Sequence, residues 1–212
     1  MLEENGQKNL RKRAKFIYLI SPNKINSNFY KELKEVLKTN KVKYFQLRLK
    51  KISTNKIIRI SQKIQKICKY FRVKFIINDS PLISLKVGAD GCHLGQSDMD
   101  IEEARKIIKK KIIGVTCHNS LIKAKEAIAK KADYIAIGAF HKSTTKKTKY
   151  KATLKDLKRF RIITKKPIIA IGGINQYNYK KLLLNKADFL AISSFVWKNK
   201  KLKPVQAIKI LK

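Results

Sequence analysis

Gln46, Arg48 and Lys50 alternate along one largely apolar stretch, Tyr44-Phe-Gln-Leu-Arg-Leu-Lys50. Alternate side chains of a β-strand share a face, so the three are expected to project together. They would present an amide to read a heterocycle and two cations for phosphate oxygens. A wet edge strand would explain Lys50 alone, but it sits poorly with Gln and Arg in a strand covered on both sides. Asp79 and Asp98 are two of only 14 acidic residues, and both follow short apolar runs. Two carboxylates beside a cationic pocket suit Mg²⁺ when a diphosphate supplies further oxygens. Hard oxygen ligands, with no Cys/His spacing, speak against zinc. Asp98 could instead cap the helix that follows it. Gly172-Gly173-Ile174-Asn175, before another helix, resembles a phosphate cradle of backbone N–H groups, and Ser193-Ser194 precede the last helix in the same manner. His118 and His141 could be acid–base residues or ordinary loop histidines, and His93 adjoins a buried strand. Spacing supports no Ser/His/Asp or Cys/His arrangement, so none of the three is assigned catalysis.

These residues must be positioned by elements, and the elements alternate throughout. Strand candidates are Phe16–Ile20, Tyr44–Leu49, Val73–Ile77, Gly91–Leu94, Ile112–Val115, Tyr134–Ile137, Ile168–Ile171 and Phe189–Ile192. Helix candidates between them are Phe29–Thr39, Thr54–Tyr70, Asp100–Lys109, Leu121–Lys130, Leu154–Ile163 and Tyr177–Leu184, with Pro81–Lys86 at most a short one. In the second of these helices, Ile57, Ile60, Ile64 and Ile67 recur at three- and four-residue steps. Short apolar strands, each followed by a helix, predict parallel pairing buried on both faces. Eight such units close naturally into a (β/α)₈ barrel, an α/β fold with its chemistry at the C-terminal strand ends. A doubly wound open sheet is the alternative, but no GxGxxG follows the first strand. The polar residues and six of the eight glycines (Gly91, Gly95, Gly114, Gly138, Gly172 and Gly173) fall on or just after strands, which fits close backbone approach to a ligand. Residues 1–14 read as a basic lead-in expected to be loosely ordered, and 15–212 as one barrel domain.

Composition narrows the function classes. Hydrophobic residues make up 44% of the 212, enough for a substantial core. No apolar run approaches the roughly 20 residues of a membrane span, and the first residues have no apolar core of a secretory signal. Cys68, Cys92 and Cys117 form no CxxC pair, which argues against a disulfide framework and suits a reducing, cytoplasmic setting. Cys117, beside a candidate site loop, could be accessible without being catalytic. The net charge of +37 would ordinarily suggest nucleic acid, yet only eight of the 51 basic residues are Arg, the residue of forked base recognition. The lysines are spread over nearly every segment, so no specific nucleic-acid partner and no membrane partner are expected. The sequence leaves self-association into a homo-oligomer open.

From Tyr18 to about Phe195 the motif order resembles that of the thiamine phosphate synthase family. QLRxK appears as Gln46-Leu-Arg48-Leu-Lys50, ND as Asn78-Asp79, and GADGxHLGQxD as Gly88 through Asp98. A hydroxyl residue after strand five is Thr116, the TxTK of a mobile loop is Ser143-Thr-Thr145-Lys146, and AIGGI runs from Ala170 to Ile174. The resemblance implies that Gln46 orients an aminopyrimidine while Arg48, Lys50, Asn78 and Lys146 hold its diphosphate. Asp79 and Asp98 would ligate Mg²⁺, and Thr116 would contact the pyrimidine diphosphate. Ser143, Thr145, Gly173, Ile192 and Ser193 would bind the thiazole phosphate, with the carboxylated thiazole left open as acceptor. The implied reaction is dissociative: diphosphate leaves the pyrimidine methylene carbon, and the thiazole nitrogen captures the resulting cation. The chain departs from the family's GPxF, which here is Gly138-Ala139-Phe140-His141, without the proline and with His in the final position. The related thiazole tautomerase would leave QLRxK, both aspartates and Lys146 idle. A non-catalytic, polyanion-binding barrel would concentrate its lysines on one face.

Overall fold

The eight apolar runs become eight parallel strands in a closed barrel, paired in sequence order with β8 returning to β1. The computed structural model describes residues 15–142 and 149–212. The strands are β1 (Ile17–Ile20), β2 (Val42–Leu47), β3 (Lys74–Asn78), β4 (Gly91–Leu94), β5 (Ile112–His118), β6 (Tyr134–Gly138), β7 (Ile168–Ile171) and β8 (Phe189–Ile192). The helices are α1 (Phe29–Lys38), α2 (Thr54–Tyr70), α3 (Pro81–Lys86), α4 (Ile101–Ile108), α5 (Leu121–Ala129), α6 (Leu154–Ile163), α7 (Tyr179–Leu184), α8 (Ser194–Trp197) and α9 (Pro204–Lys209). The open-sheet alternative is excluded by closure. Strand β2 lies earlier than its pattern suggests, β5 runs three residues longer, and the expected last helix is two short ones.

Alternation along each strand separates two cores. One set of side chains, including Ile17, Leu19, Phe45, Phe75, Ile77, Ile113, Ile135 and Leu190, packs outward against the helices. The other set fills the bore with Tyr18, Ile20, Tyr134, Ala136, Ile169 and Ala191, joined by Tyr44, Ile112, Ile171 and Phe189. The lower bore is aromatic, with Tyr44 stacked on Tyr18 and edge-on to Phe189. Glycines make room for this bulk. A Cβ on Gly114 would fall inside the Tyr134 ring, and one on Gly91 or Gly138 would strike backbone of the neighbouring strand at Ile112 or Ile171. Those three glycines therefore answer to barrel packing, and of the three Gly138 also lines the pocket at the C-terminal strand ends.

A three-residue unit recurs at the opposite end from the candidate site. Gly88-Ala-Asp90, Lys131-Ala-Asp133 and Lys186-Ala-Asp188 each close a helix and open an even-numbered strand. The first residue is left-handed, with φ of 66°, 64° and 77°. The alanine N–H reaches back five residues to Ser84, Ala127 and Leu182 carbonyls, the bond of a Schellman stop. Each aspartate then accepts the N–H of Phe75, Ile113 or Ile168 at the start of the preceding strand. Arg105 from α4 and Arg161 from α6 clamp the second and third aspartates and also donate to carbonyls at Lys131 and Lys186. Replacing Asp133 with Ala leaves the buried Ile113 N–H and the Arg105 guanidinium without that acceptor. It is expected to cost about 2–3 kcal/mol, measured by urea unfolding, with the catalytic constants of the folded fraction unchanged.

Candidate active site

A pocket of about 390 Å³ opens at the C-terminal strand ends, lined from nearly every strand. It brings together Gln46, Arg48, Lys50, Asn78, Asp79, Asp98, Thr116, Gly173, Ile192 and Ser193. Ser143, Thr145 and Lys146, the other residues singled out from the sequence, lie outside the described residues.

Gln46 is the only one of its trio within β2, and its side chain is buried. The strand ladder stops at Leu47 because Ser21, following β1, takes over the pairing. Its N–H donates to the Gln46 carbonyl at 2.9 Å, while its hydroxyl accepts the Arg48 N–H at 3.0 Å. Arg48 and Lys50 thus reach the pocket from a short segment hitched to a side chain, and not from a continuing strand. Lys50 is ion-paired with Asp79. Asp79 sits just past β3 in a left-handed conformation (φ 66°) and donates its N–H to the His93 carbonyl. Ser80 then caps α3 by accepting from Ile83 N–H, with Pro81 in the first turn.

Asp98 is not a helix cap. Its carboxylate accepts the Gly95 N–H at 2.6 Å, whereas Asp100 caps α4 by accepting from Glu102 N–H. Partial burial pushes the Asp98 carboxyl upward, the Gly95 N–H opposes this, and the neighbouring Asp79 raises it further. Two carboxylates are therefore held together beside Lys50, a donor set of hard oxygens that fits a divalent cation sharing further oxygens with a bound diphosphate. Among the described residues no cluster of three or more Asp, Glu, His or Cys forms a metal cage.

Thr116 lies near the end of β5, where an extra residue interrupts the pairing with β6 before His118. Gln96 crosses over it, donating from Nε2 to the Thr116 carbonyl at 2.5 Å. Cys117 between them is fully buried, and burial pushes its thiol up to about 12, so it is neither accessible nor a nucleophile. At the other side, Gly172 and Gly173 have φ of 110° and 59°. Side chains there would collide with Ala139 and with the Lys142 carbonyl, so these glycines admit the segment after β6 as well as facing the pocket. Phe140 and His141 donate their N–H groups to the Ile171 and Gly172 carbonyls, and Ala139 donates to Tyr150. The last of these is a bond that the proline usual in the family could not make. Helix α7 starts four residues after Asn175, behind an Asn175–Asn178 turn, so the Gly172-Gly173 loop and not a helix terminus faces the pocket. Ile192 points its side chain into the outer core, which leaves its backbone for the pocket. Ser193 donates its hydroxyl to the Ser21 carbonyl.

The pocket also includes Ser194, read with Ser193 as part of a phosphate cradle, His93 and His118, assigned no catalysis, and residues to which no role attached in the sequence: Ile20, Gln96, Ser97, Ile171 and Ala191. Gln96 and Ser97 stand inside the Gly88–Asp98 motif and were the most legible of these. Among the described residues, no helix is long and apolar enough to cross a membrane.

The closed barrel and its polar mouth define a (β/α)₈-barrel enzyme acting on small molecules at the C-terminal strand ends. The family model for thiamine monophosphate synthase matches residues 17–196. The thiamine-phosphate synthase of Pelagibacter ubique is 60% identical over 200 residues, covering 93% of this chain and 96% of that one. That of Erythrobacter litoralis is 39% identical, covering 90% and 92%. The solved thiamine phosphate pyrophosphorylase of Pyrococcus furiosus superposes with a TM-score of 0.83 at 29% identity, covering 95% of each chain. The chain belongs to the thiamine monophosphate synthase family, and its reaction is that of a thiamine-phosphate synthase, a transferase.

Proposed function

We propose that this pocket binds the 4-amino-2-methylpyrimidin-5-ylmethyl diphosphate between the β2–β3 and β4–β5 strand ends, with the thiazole phosphate against the β7–β8 side. The observation that carries this reading is the convergence, in one pocket, of a buried amide (Gln46), two cations (Arg48, Lys50), an amide at a strand end (Asn78) and a carboxylate pair (Asp79, Asp98). Gln46 reads the pyrimidine edge, and Arg48, Lys50 and Asn78, with Lys146, hold the diphosphate. Asp79 and Asp98 hold Mg²⁺, which neutralises charge accumulating on the departing diphosphate. Gly173, the Ile192 backbone and Ser193, with Ser143 and Thr145, take the thiazole's phosphate in the position where barrels of this kind commonly bind phosphate.

The protein's own contribution is positioning and preorganised charge. As the methylene–oxygen bond lengthens, negative charge moves onto the diphosphate, where Arg48 and Lys50 already sit without reorganising. The apolar pocket wall of Ile20, Ile171 and Ala191 limits water beside the cationic carbon. The thiazole nitrogen then supplies the electron pair for the new C–N bond. The test is direct. Purified protein supplied with the pyrimidine diphosphate, the thiazole phosphate and Mg²⁺ is expected to release thiamine phosphate and pyrophosphate in equal amounts, with release lost on chelation by EDTA. Folded protein yielding neither product would overturn the reading.

A further inference from the structure

Four polar side chains from four strands form an unbroken file from the pocket, which Thr116 and His93 line, into the bore at Tyr134 and Tyr18. Thr116 Oγ1 lies 2.8 Å from His93 Nε2, His93 Nδ1 lies 2.9 Å from the Tyr134 hydroxyl, and that hydroxyl lies 2.7 Å from the hydroxyl of Tyr18. Tyr18 and Tyr134 are fully buried and His93 nearly so. Burial drives both phenols far above their ordinary range, so each keeps its proton and has one to place. The His93 ring is stacked on Tyr134 with centroids 5.6 Å apart and planes at 18°, which fixes its orientation. None of Tyr18, His93 and Tyr134 has a part in the substrate contacts described above.

Because each link carries a single proton, the file has a direction. If Thr116 donates to His93, it turns only lone pairs toward the pocket and repels an anion. If His93 donates from Nε2, the Thr116 proton is released toward the ligand. A neutral imidazole must then accept at Nδ1 from Tyr134, and Tyr134 in turn accepts from Tyr18. That second orientation satisfies every member and ends in a donor at the pocket that Arg48 and Lys50 also line.

We propose that Tyr134, acting through His93, is a positioning residue that holds the Thr116 hydroxyl as a hydrogen-bond donor to an anionic oxygen of the pyrimidine diphosphate. The proposal rests on the reading that Thr116 touches that substrate. Chains of buried hydrogen bonds polarise one another, so the effect of Tyr134 passes through Thr116 and is lost without it.

Two measurements test this. In the unsubstituted protein, long-range ¹H–¹⁵N spectra of the His93 ring in the presence of Mg²⁺ and inorganic pyrophosphate are expected to show the proton on Nε2. A proton on Nδ1 alone would overturn the proposal without any variant being made. In the second, KM for the pyrimidine diphosphate is compared among Tyr134→Phe, Thr116→Val and the double variant. Tyr134→Phe is expected to raise KM roughly tenfold with kcat changed less than about twofold, the signature of lost ground-state binding. In the Thr116→Val background it is expected to add less than about twofold, while Thr116→Ser keeps the full sensitivity to Tyr134→Phe. The same factor in both backgrounds would mean that Tyr134 supports the site generally, and the positioning role would fall while the Thr116 contact stood. A Thr116→Val variant with unchanged KM would instead remove the contact itself, and the proposal with it.

Discussion

Replacing Asp79 with Asn is expected to slow formation of thiamine phosphate by about 10³-fold, roughly 4 kcal/mol of lost stabilisation of the departing diphosphate. The substitution preserves shape and removes one charge from a place where charge is concentrated. Asp79 is ion-paired with Lys50 and adjoins Asp98, so it anchors both a cation proposed to meet the diphosphate and half of the carboxylate pair. Asparagine can still accept from Lys50 but gives a far weaker ligand for a divalent cation. The loss should be partly recovered by raising Mg²⁺, because the remaining carboxylate of Asp98 binds the ion more weakly and not in a different place. If rate were lost equally at all Mg²⁺ concentrations, Asp79 would be acting through Lys50 alone. Asp100 supplies the control, being an exposed carboxylate that caps α4 and pairs with Lys130. Asp100→Ala is expected to cost about 1 kcal/mol of stability and to leave the rate unchanged.

The contrast between Asp79 and Asp100 also shows what could be read from the chain. Both are aspartates after short apolar runs or near them, and the sequence separates them only through the strand–helix alternation. That alternation was legible because parallel barrel strands are buried on both faces and so appear as short unbroken apolar runs. Gly91–Leu94, Ile168–Ile171 and Phe189–Ile192 have the expected bounds for this reason. Strand β2 does not, since Leu49 continues the alternation of Phe45 and Leu47 after the ladder has ended. What ends it is the Ser21 hydroxyl, 27 residues away in sequence, and no local pattern carries that information. Ten of the thirteen candidate site residues meet in the pocket, and the other three lie outside the described residues.

The features that escaped the sequence share one cause, contact between distant residues. The helix stops at Lys131 and Lys186 carry no glycine, so nothing local announces a left-handed residue there. The recurrence of Ala-Asp after each stop becomes meaningful only once the aspartates are seen to catch the preceding strand. Likewise Tyr18, His93, Thr116 and Tyr134 come from four strands, and their file depends on barrel stagger and not on spacing. Cys117 lies beside site residues in sequence, but it occupies the opposite face of β5 from Thr116 and His118 and is sealed in the outer core.

Gly114→Ala is expected to be severely destabilising although it adds a single methyl group. The new Cβ would lie within the Tyr134 ring, and that ring has nowhere to go. Its hydroxyl is held by Tyr18 and His93, its face lies against the His93 ring, and its edge meets Tyr18 at 66°. Relief would require either breaking this buried file or prying β5 from β6, and an overpacked interior of this kind costs about 3 kcal/mol or more. For a chain of this size the melting temperature should fall by roughly 6–12 °C, followed by circular dichroism in parallel with urea unfolding. A second substitution separates collision from any intrinsic need for glycine. Gly114 does not adopt the left-handed conformation that only glycine favours, so alanine is conformationally acceptable there once the ring is gone. Gly114→Ala/Tyr134→Leu should therefore regain most of the stability lost by Gly114→Ala, because leucine clears the position of the ring while keeping the bore filled. It should not regain normal substrate affinity, because His93 would then lack its phenol partner. Recovery of stability with KM still raised would place the constraint on Gly114 in the same aromatic packing that orients the site from below. Failure of the double variant to recover would place it in the β5–β6 backbone contact instead.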